Sequence, residues 1–123
     1  MISIYVYRKF LKEREVGVEK IDAGTFNKNV IENRETAIVD FYADWCMPCK
    51  VFSPVFEEVS GDYEDKVKFY KIDVDKEADL AAGFDVMSIP TVVFFQGGEK
   101  KDSFKGSLPK DKFKAFMDKN TGE

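Results

Sequence analysis

The sequence predicts an α/β domain with a central mixed β-sheet flanked by helices on both faces. Strand-like and helix-like runs alternate over residues 16–96, which is typical of parallel strands joined by helices. The Gly97-Gly98 pair then separates two further strand-like runs, which indicates a closing β-hairpin. Both cysteines, Cys46 and Cys49, follow shortly after the second strand, at the edge where sites collect in open α/β sheets.

Strands are predicted where β-branched and aromatic residues cluster between turn signals. Four such runs cover residues 16–21, 37–42, 67–74 and 91–96. A fifth strand over 101–105, which carries Phe104, would pair with the fourth across the glycine turn. The sheet is therefore expected to be parallel in its first part and antiparallel at its end.

Helices are predicted where apolar residues recur at intervals of three and four. The first would begin at Asp22 or Thr25, both of which can cap a helix, and would end near Asn33. The others are expected over 46–63, over 77–84 and from Pro109 onwards. The last of them, a C-terminal helix after the hairpin, would complete the domain.

Residues 1–15 stand apart from this pattern. Ser3, Ile4, Tyr7 and Leu11 permit a short helix, while the alternation of residues 4–7 also allows a strand. We therefore divide the chain into an N-terminal extension, 1–15, and one domain, 16–123. A single domain is also what 123 residues favour.

The composition excludes several classes of partner. A net charge of −4, with acidic residues between the lysines of 100–114, gives no basic patch for nucleic acid. No apolar run approaches the ~18 residues of a membrane span. Arg8 and Lys9 follow the first apolar stretch instead of preceding it, which is the wrong order for a secretory signal. We expect a cytoplasmic monomer.

The tetrad Cys46-Met47-Pro48-Cys49 predicts a dithiol that closes reversibly to a disulfide. A free cysteine is only about 3% thiolate at pH 7, and only the thiolate attacks. The N-terminus of a helix stabilises that anion, and Pro48 suits a first helical turn. We expect Cys46 to be exposed and to attack, and Cys49 to lie behind it and resolve the mixed disulfide.

Asp40 is the candidate base for deprotonating Cys49, because the chain contains no histidine. It lies between Val39 and Phe41 in the second predicted strand, where burial is expected. Burial would raise its pKa towards the range of a useful proton carrier.

Two cysteines at this spacing also leave other readings open. Zinc prefers four ligands, so without histidine only a site shared by two chains would satisfy it, and no metal or cofactor is expected. A non-catalytic binding module would not need the thiols at all. An oxidase, which takes electrons from its substrates, would use the same pair in the opposite direction.

The run of residues 39–50 and the later Ser88-Ile89-Pro90-Thr91 closely resemble the thioredoxin family. The similarity extends over about 17–120, and Pro54, Gly98 and Gly106 fall where that family places them. The resemblance implies the thioredoxin fold and reduction of disulfides in other proteins, through a mixed disulfide. It also implies a thioredoxin reductase-like electron donor.

The same resemblance implies the roles of individual residues. Cys46 looks like the nucleophile, Cys49 the resolving thiol and Asp40 the buried acid/base. Lys71 matches a lysine near that aspartate, and Pro90 matches a cis-proline that faces the dithiol. The implied substrate-binding residues are Trp45, Met47, Ile89 and Gly106.

Three residues depart from the family pattern. Met47 replaces a glycine, Tyr42 a frequent tryptophan, and Lys105 a small apolar residue. A methionine beside the thiol could alter partner preference or redox potential. The alternative function is therefore a dedicated thioredoxin-like protein that acts as a partner-specific redox or binding module.

Overall fold

The computed structural model describes residues 17–122 and confirms the predicted mixed sheet. The five strands of this part of the chain lie in the order β1-β3-β2-β4-β5. Strands β1, β3 and β2 are parallel, whereas β4 and β5 are antiparallel to their neighbours. The strands are β1 (Val18–Lys20), β2 (Ala37–Tyr42), β3 (Lys68–Asp73), β4 (Thr91–Gln96) and β5 (Glu99–Lys105).

Helices join the strands as predicted. Asp22 caps the first helix, because its carboxylate accepts a hydrogen bond of 2.8 Å from the Thr25 N–H. That helix, α1 (Ala23–Phe26), continues as a π-helical segment, Asn27–Glu32. The others are α2 (Met47–Tyr63), α3 (Ala78–Gly83) and α4 (Lys110–Thr121). The predictions made for residues 1–15 lie outside the described residues.

Two apolar cores, one on each face of the sheet, confirm that helices cover both faces. Alternate residues of a strand point to opposite faces, so neighbours such as Ile38 and Val39 enter different cores. Helices α2 and α4 cover one face, whose fully buried side chains include Ile38, Phe52, Phe56, Val92, Phe94 and Phe113. Helices α1 and α3 cover the other, with Phe26, Val30, Val39, Phe41, Val93 and Phe95.

The hairpin turn between β4 and β5 depends on two glycines with positive φ. Gly97 has φ +64° and Gly98 has φ +82°, a backbone region that residues other than glycine rarely adopt. A Cβ atom on Gly98 would lie 3.0 Å from the carbonyl oxygen of Ile31, so the turn also packs closely against the π-helical segment.

Strand β2 is central, and its six residues are all buried. Its carboxyl end leads through a short turn into α2, and this places the cysteine tetrad at the edge of the sheet. Within residues 17–122, no helix is long and apolar enough to cross a membrane.

Candidate active site

Cys46 and Cys49 are joined by a disulfide at the N-terminus of α2. Their Cα atoms are 5.3 Å apart, within the range of protein disulfides. Cys46 is the N-cap residue, with extended backbone, and Pro48 lies in the first turn, where its missing N–H costs no hydrogen bond. The predicted reversible dithiol is therefore present in its oxidised state.

The exposure predicted for Cys46 is wrong for this state. Cys46 is 4% exposed and Cys49 3%, so solvent access does not separate them. The reason is local packing: the bonded sulfurs form an apolar cluster with Tyr42 and Ala43, against which Val74 and Ile89 pack. Exposure therefore does not identify the reactive sulfur, and the polar contacts of the two sulfurs have to be compared instead.

The polar contacts distinguish Cys46 from Cys49. The backbone N–H of Cys49 donates to Cys46 Sγ at 3.3 Å, so this sulfur receives one of the free N–H groups of the helix N-terminus. Cys46 Sγ also lies 3.6 Å from the carbonyl oxygen of Ile89. A thiolate at Cys46 would thus be stabilised by the N–H and by the positive end of the helix dipole.

The loop 88–91 closes over the disulfide. The Ile89–Pro90 peptide bond is cis, as the resemblance implies, and the Thr91 hydroxyl donates to the Ser88 carbonyl at 2.6 Å. The Gly106 N–H donates to the Pro90 carbonyl at 2.8 Å, so the end of β5 joins the same loop. Ile89 therefore lies beside Cys46, and Gly106 is joined to the next residue of the loop, Pro90.

Trp45 and Met47 flank Cys46 in sequence and are exposed to 69% and 68%. The family resemblance implies a surface position for Trp45, and its exposure confirms that position. Its indole N–H donates to the Asp75 carboxylate at 2.8 Å, which fixes the ring although the ring is exposed. Two large apolar side chains exposed next to a reactive sulfur are typical of a surface that contacts other proteins.

Asp40 is fully buried, as predicted, and burial raises its pKa to about 7. Within the described part of the chain, neither of its carboxylate oxygens has a hydrogen-bond partner. Asp40 shares a sheet face with Ile38, two residues earlier, and α2 covers that face. The carboxyl group therefore lies beneath the helix that carries the disulfide.

Lys71 is paired with Asp40 in the register of β2 and β3. Its positive charge lowers the pKa of Asp40, but by less than burial raises it. The Lys71 ammonium does not contact Asp40: it donates to Ser53 Oγ at 3.0 Å and lies 4.4 Å from the centre of the Tyr42 ring. The predicted lysine is thus near the aspartate without an ion pair.

Three residues of this arrangement carry no role in the sequence-based prediction. Ser53 follows Cys49 by four residues, so helical spacing alone could have placed it on the same face. Tyr42 is visible in the sequence only as a departure from the family pattern. Asp75 belongs to a different segment from its partner Trp45, and no sequence spacing links the two.

Metal ligands do not cluster in the part of the chain that the structure describes. Among residues 17–122, no group of three or more His, Cys, Asp or Glu side chains is arranged to hold a metal ion. The two thiols are instead bonded to each other. The chemistry that this site supports is exchange between a dithiol and a disulfide.

Known proteins resemble the chain over most of its length. The thioredoxin family model matches residues 17–119. A thioredoxin of Staphylococcus haemolyticus is 40% identical over 105 residues, which cover 85% of this chain and 99% of that protein. A chloroplastic M-type thioredoxin of Chlamydomonas reinhardtii is 37% identical over 103 residues, 84% of this chain and 72% of that protein.

Solved structures show the same similarity in three dimensions. The thioredoxin of Malassezia sympodialis superimposes with a TM-score of 0.77 at 35% identity and covers 85% of this chain and 90% of its own. A mutant thioredoxin of Halobacterium salinarum gives a TM-score of 0.76 at 31% identity, with the same two coverages. With its cysteine pair bonded at the tip of α2, this chain belongs to the thioredoxin family of protein-disulfide reductases.

Proposed function

We propose that Cys46 begins the reduction of disulfides in other proteins and that Cys49 completes it. The Cys46 thiolate attacks one substrate sulfur, a Cys46–substrate disulfide forms, and the other substrate sulfur leaves as a thiolate that takes up a proton. Cys49 then attacks Cys46 Sγ and releases the second substrate thiolate. Two electrons pass to the substrate, and the Cys46–Cys49 disulfide remains.

The observation that carries this assignment is the hydrogen bond of 3.3 Å from the Cys49 N–H to Cys46 Sγ. It stabilises negative charge on Cys46 in the free thiolate that begins the reaction. Cys49 lies within the helix turn, so its own sulfur does not cap the helix. Cys46 is therefore the better nucleophile of the pair.

Asp40 acts in this proposal as the base that takes the Cys49 proton. A pKa of about 7 suits that task, because a carboxylate of ordinary acidity is a weaker base at neutral pH. Lys71 adjusts the charge beside Asp40. Pro90 turns the Ile89 backbone towards the dithiol.

We further propose a docking surface formed by Trp45, Met47, Ile89 and Gly106. Trp45 and Met47 supply exposed apolar area on one side of Cys46, and the loop hydrogen bond between Gly106 and Pro90 forms the other side. An extended substrate segment could pair with the Ile89 backbone between them. A thioredoxin reductase-like protein would meet the same surface when it returns the disulfide to the dithiol.

We also infer that the protein works as a monomer in the cytoplasm, a reducing compartment in which the dithiol can be regenerated. Alkylation of free thiols in intact cells would test whether the protein works in a reducing compartment. A pair found mainly in the dithiol state supports it, and a pair held permanently as the disulfide opposes it. Sedimentation of the purified protein would test the monomer.

Reduction of insulin with dithiothreitol as electron source tests the roles of the cysteines. Cys46→Ser should abolish turnover. Cys49→Ser, reduced and then mixed with insulin after dithiothreitol has been removed, should accumulate a mixed disulfide visible by mass spectrometry. A Cys46→Ser variant as active as the wild type would refute the proposed reaction. Asp40→Asn should slow turnover near neutral pH, whereas Asp44→Asn, an exposed carboxylate beside the tetrad, is the matched control and should not.

The docking surface has its own test. Met47→Gln keeps the length of the side chain but makes it polar, so KM for insulin should rise several-fold while reduction of a small-molecule disulfide stays unchanged. Met87→Gln is the control for loss of an exposed methionine, because Met87 is 85% exposed and is not one of the four residues proposed for the surface. Equal KM values for all three proteins would contradict the surface.

A further inference from the structure

The contacts of the Lys71 side chain differ from those expected from its position in the sheet. Lys71 is paired with Asp40 across neighbouring strands, which are about 4.8 Å apart, so its long side chain could reach the carboxylate. Two opposite charges at that place would attract each other strongly in the dry interior. Yet no ion pair forms, and both Asp40 oxygens lack a partner within the described residues.

Two neighbours account for the position of the ammonium. Ser53, on α2, accepts a hydrogen bond of 3.0 Å from Lys71 Nζ. The ring of Tyr42, two residues after Asp40 on β2, lies 4.4 Å from the same nitrogen, within the distance of a cation–π contact. Both contacts hold the ammonium at partners other than Asp40, one on the helix and one on the strand.

We propose that Ser53 and Tyr42 are positioning residues that hold the Lys71 ammonium out of contact with Asp40, so that the Asp40 carboxyl group can carry a proton during dithiol exchange. The part played in exchange rests on the proposed function; the position of the ammonium does not. Neither Ser53 nor Tyr42 needs to touch the substrate, because each acts through Lys71.

Among the charged groups described around Asp40, Lys71 is the one that shifts its pKa. The buried Asp73 of β3, which is paired with Tyr42, does not. On β4 the residue paired with Asp40 is the apolar Val92. On the edge strand β1, Lys20 is paired with Lys71, and its ammonium lies 5.7 Å from the centre of the Tyr42 ring. On α2, Cys46 and Cys49 do not titrate while they are bonded to each other.

Contact between Lys71 and Asp40 would change the chemistry of the carboxyl group. An opposite charge within about 4–6 Å lowers a carboxyl pKa by roughly 1–3 units. Asp40 would then be ionised throughout the neutral range and would be a poorer acceptor for the Cys49 proton. With the ammonium held at Ser53, its positive charge still stabilises the Asp40 carboxylate in part. Asp40 nevertheless keeps its ability to accept the Cys49 proton.

The test is a titration of Asp40 by carboxyl carbon NMR in the full, oxidised chain. The oxidised form is chosen because no thiol titrates there and the curve belongs to Asp40 alone. Asp40→Asn identifies the signal. Ser53→Ala frees the ammonium, and the Asp40 pKa should fall by about one unit; an unchanged or higher value would overturn the proposal.

Control variants separate positioning from a general disturbance. Alanine favours helices, so Ser53→Ala should fold, and Ser53→Thr, which keeps the hydroxyl group, should restore the wild-type titration. Ser60→Ala is the matched control, because the Ser60 hydroxyl donates to the Glu57 carbonyl on the same helix. It should leave the Asp40 titration unchanged, and a shift equal to that of Ser53→Ala would overturn the proposal.

A double-mutant cycle shows whether Ser53 acts through Lys71. In a Lys71→Met background, Ser53→Ala should no longer change the Asp40 titration. A persisting change would assign the effect to Ser53 itself and overturn the proposal. Tyr42→Phe keeps the ring and should titrate like the wild type, whereas Tyr42→Leu should lower the Asp40 pKa; if it does not, Tyr42 has no part in the positioning.

The rate of insulin reduction then separates this inference from the proposed function. If both hold, Ser53→Ala moves the pH profile of the rate to lower pH together with the Asp40 titration. If the titration moves and the rate profile does not, the positioning stands and Asp40 is not the base. If neither moves, the positioning is refuted.

Discussion

Asp40 shows how a single buried side chain connects function with stability. Its carboxyl group is fully buried, and burial raises its pKa from 3.8 to about 7. Ionising it inside the sheet costs free energy that ionising it in the unfolded chain does not. The group proposed as a base should therefore destabilise the fold at the pH where it works.

The stability of Asp40→Asn should depend on pH differently from that of the wild type. Below pH 3.8 Asp40 is protonated in both states; as the pH rises, the unfolded chain loses this proton first, and the folded chain keeps it until about pH 7. The stabilising contribution of the proton is thus complete below pH 3.8 and is lost by pH 7 and above. The loss amounts to about 4 kcal/mol at 1.36 kcal/mol per unit.

Asparagine does not titrate, so the variant does not lose this contribution. The free energy of unfolding of Asp40→Asn minus that of the wild type should therefore rise by about 4 kcal/mol between pH 4 and pH 8. Urea denaturation of both oxidised proteins across this range measures the gain. A difference that does not vary with pH would contradict the raised pKa of Asp40.

The burial and the contacts of other site residues could be predicted from the sequence only in part. The burial of Asp40 followed from its neighbours in the chain, and the exposure of Trp45 followed from the family resemblance. The low exposure of Cys46 did not, because the loop at Ile89, some forty residues later, covers it. The Lys71 partner Ser53 likewise comes from another element.

Among the elements, helix α2 carries the dithiol, and its one internal glycine weakens it. Gly61 lies in the last two turns, is exposed, and would meet no atom within 4 Å if it carried a Cβ. Glycine costs a helix interior roughly 0.5–1 kcal/mol relative to alanine. Gly61→Ala should therefore raise the free energy of unfolding by about that amount in urea denaturation; a lower stability would contradict the open surroundings.

A contrasting prediction holds for Gly98 in the hairpin. Gly98→Ala should destabilise the fold, because φ is +82° and the new Cβ would lie 3.0 Å from the Ile31 carbonyl oxygen. Gly97→Ala is the matched control, with φ +64° but no atom within 4 Å of the new Cβ. Thermal unfolding should place Gly98→Ala below Gly97→Ala, and equal midpoints would rule out the close packing against Ile31.

Element boundaries show the limits of pattern reading. The strand predicted over 101–105 begins at Glu99 in the structure, because the first residues of this edge strand are charged and carry no apolar signal. The register shift at Phe94 and Phe95 also has no sequence signature. The first helix matches its predicted range, but its π-helical part could not be foreseen from spacing.

At the scale of the whole molecule, an aromatic cluster joins α2, α4 and the sheet. Phe113 lies at its centre, fully buried, with ring centroids 5.1 to 6.4 Å from those of four other phenylalanines: Phe52, Phe56, Phe69 and Phe104. Phe113→Ala should lower the free energy of unfolding by about 3–5 kcal/mol through lost burial and a cavity.

The exposed Lys112→Ala, next to Phe113 on α4, is the control for this change and should alter stability by less than about 0.5 kcal/mol. Chemical denaturation of both variants measures the difference. A cost near 1 kcal/mol for Phe113→Ala would mean that the helices do not depend on this cluster.

We also propose that residues 16–123 fold as the functional domain without residues 1–15. Within residues 17–122, the sheet begins at Val18, which is paired with Phe69, and the family match begins at residue 17. Deleting residues 1–15 should leave cooperative unfolding and the rate of insulin reduction unchanged. Loss of either property would place part of the domain in the deleted segment.

The sequence by itself determined the α/β class, the mixed sheet and the redox pair, because strand alternation, helical spacing and the cysteine tetrad are all local patterns. The tertiary structure decided what meets across the chain. It covered Cys46 with the Ile89 loop, joined Gly106 to Pro90, and directed Lys71 to Ser53 instead of Asp40. Such contacts depend on how separate elements pack, and no spacing along one element records them.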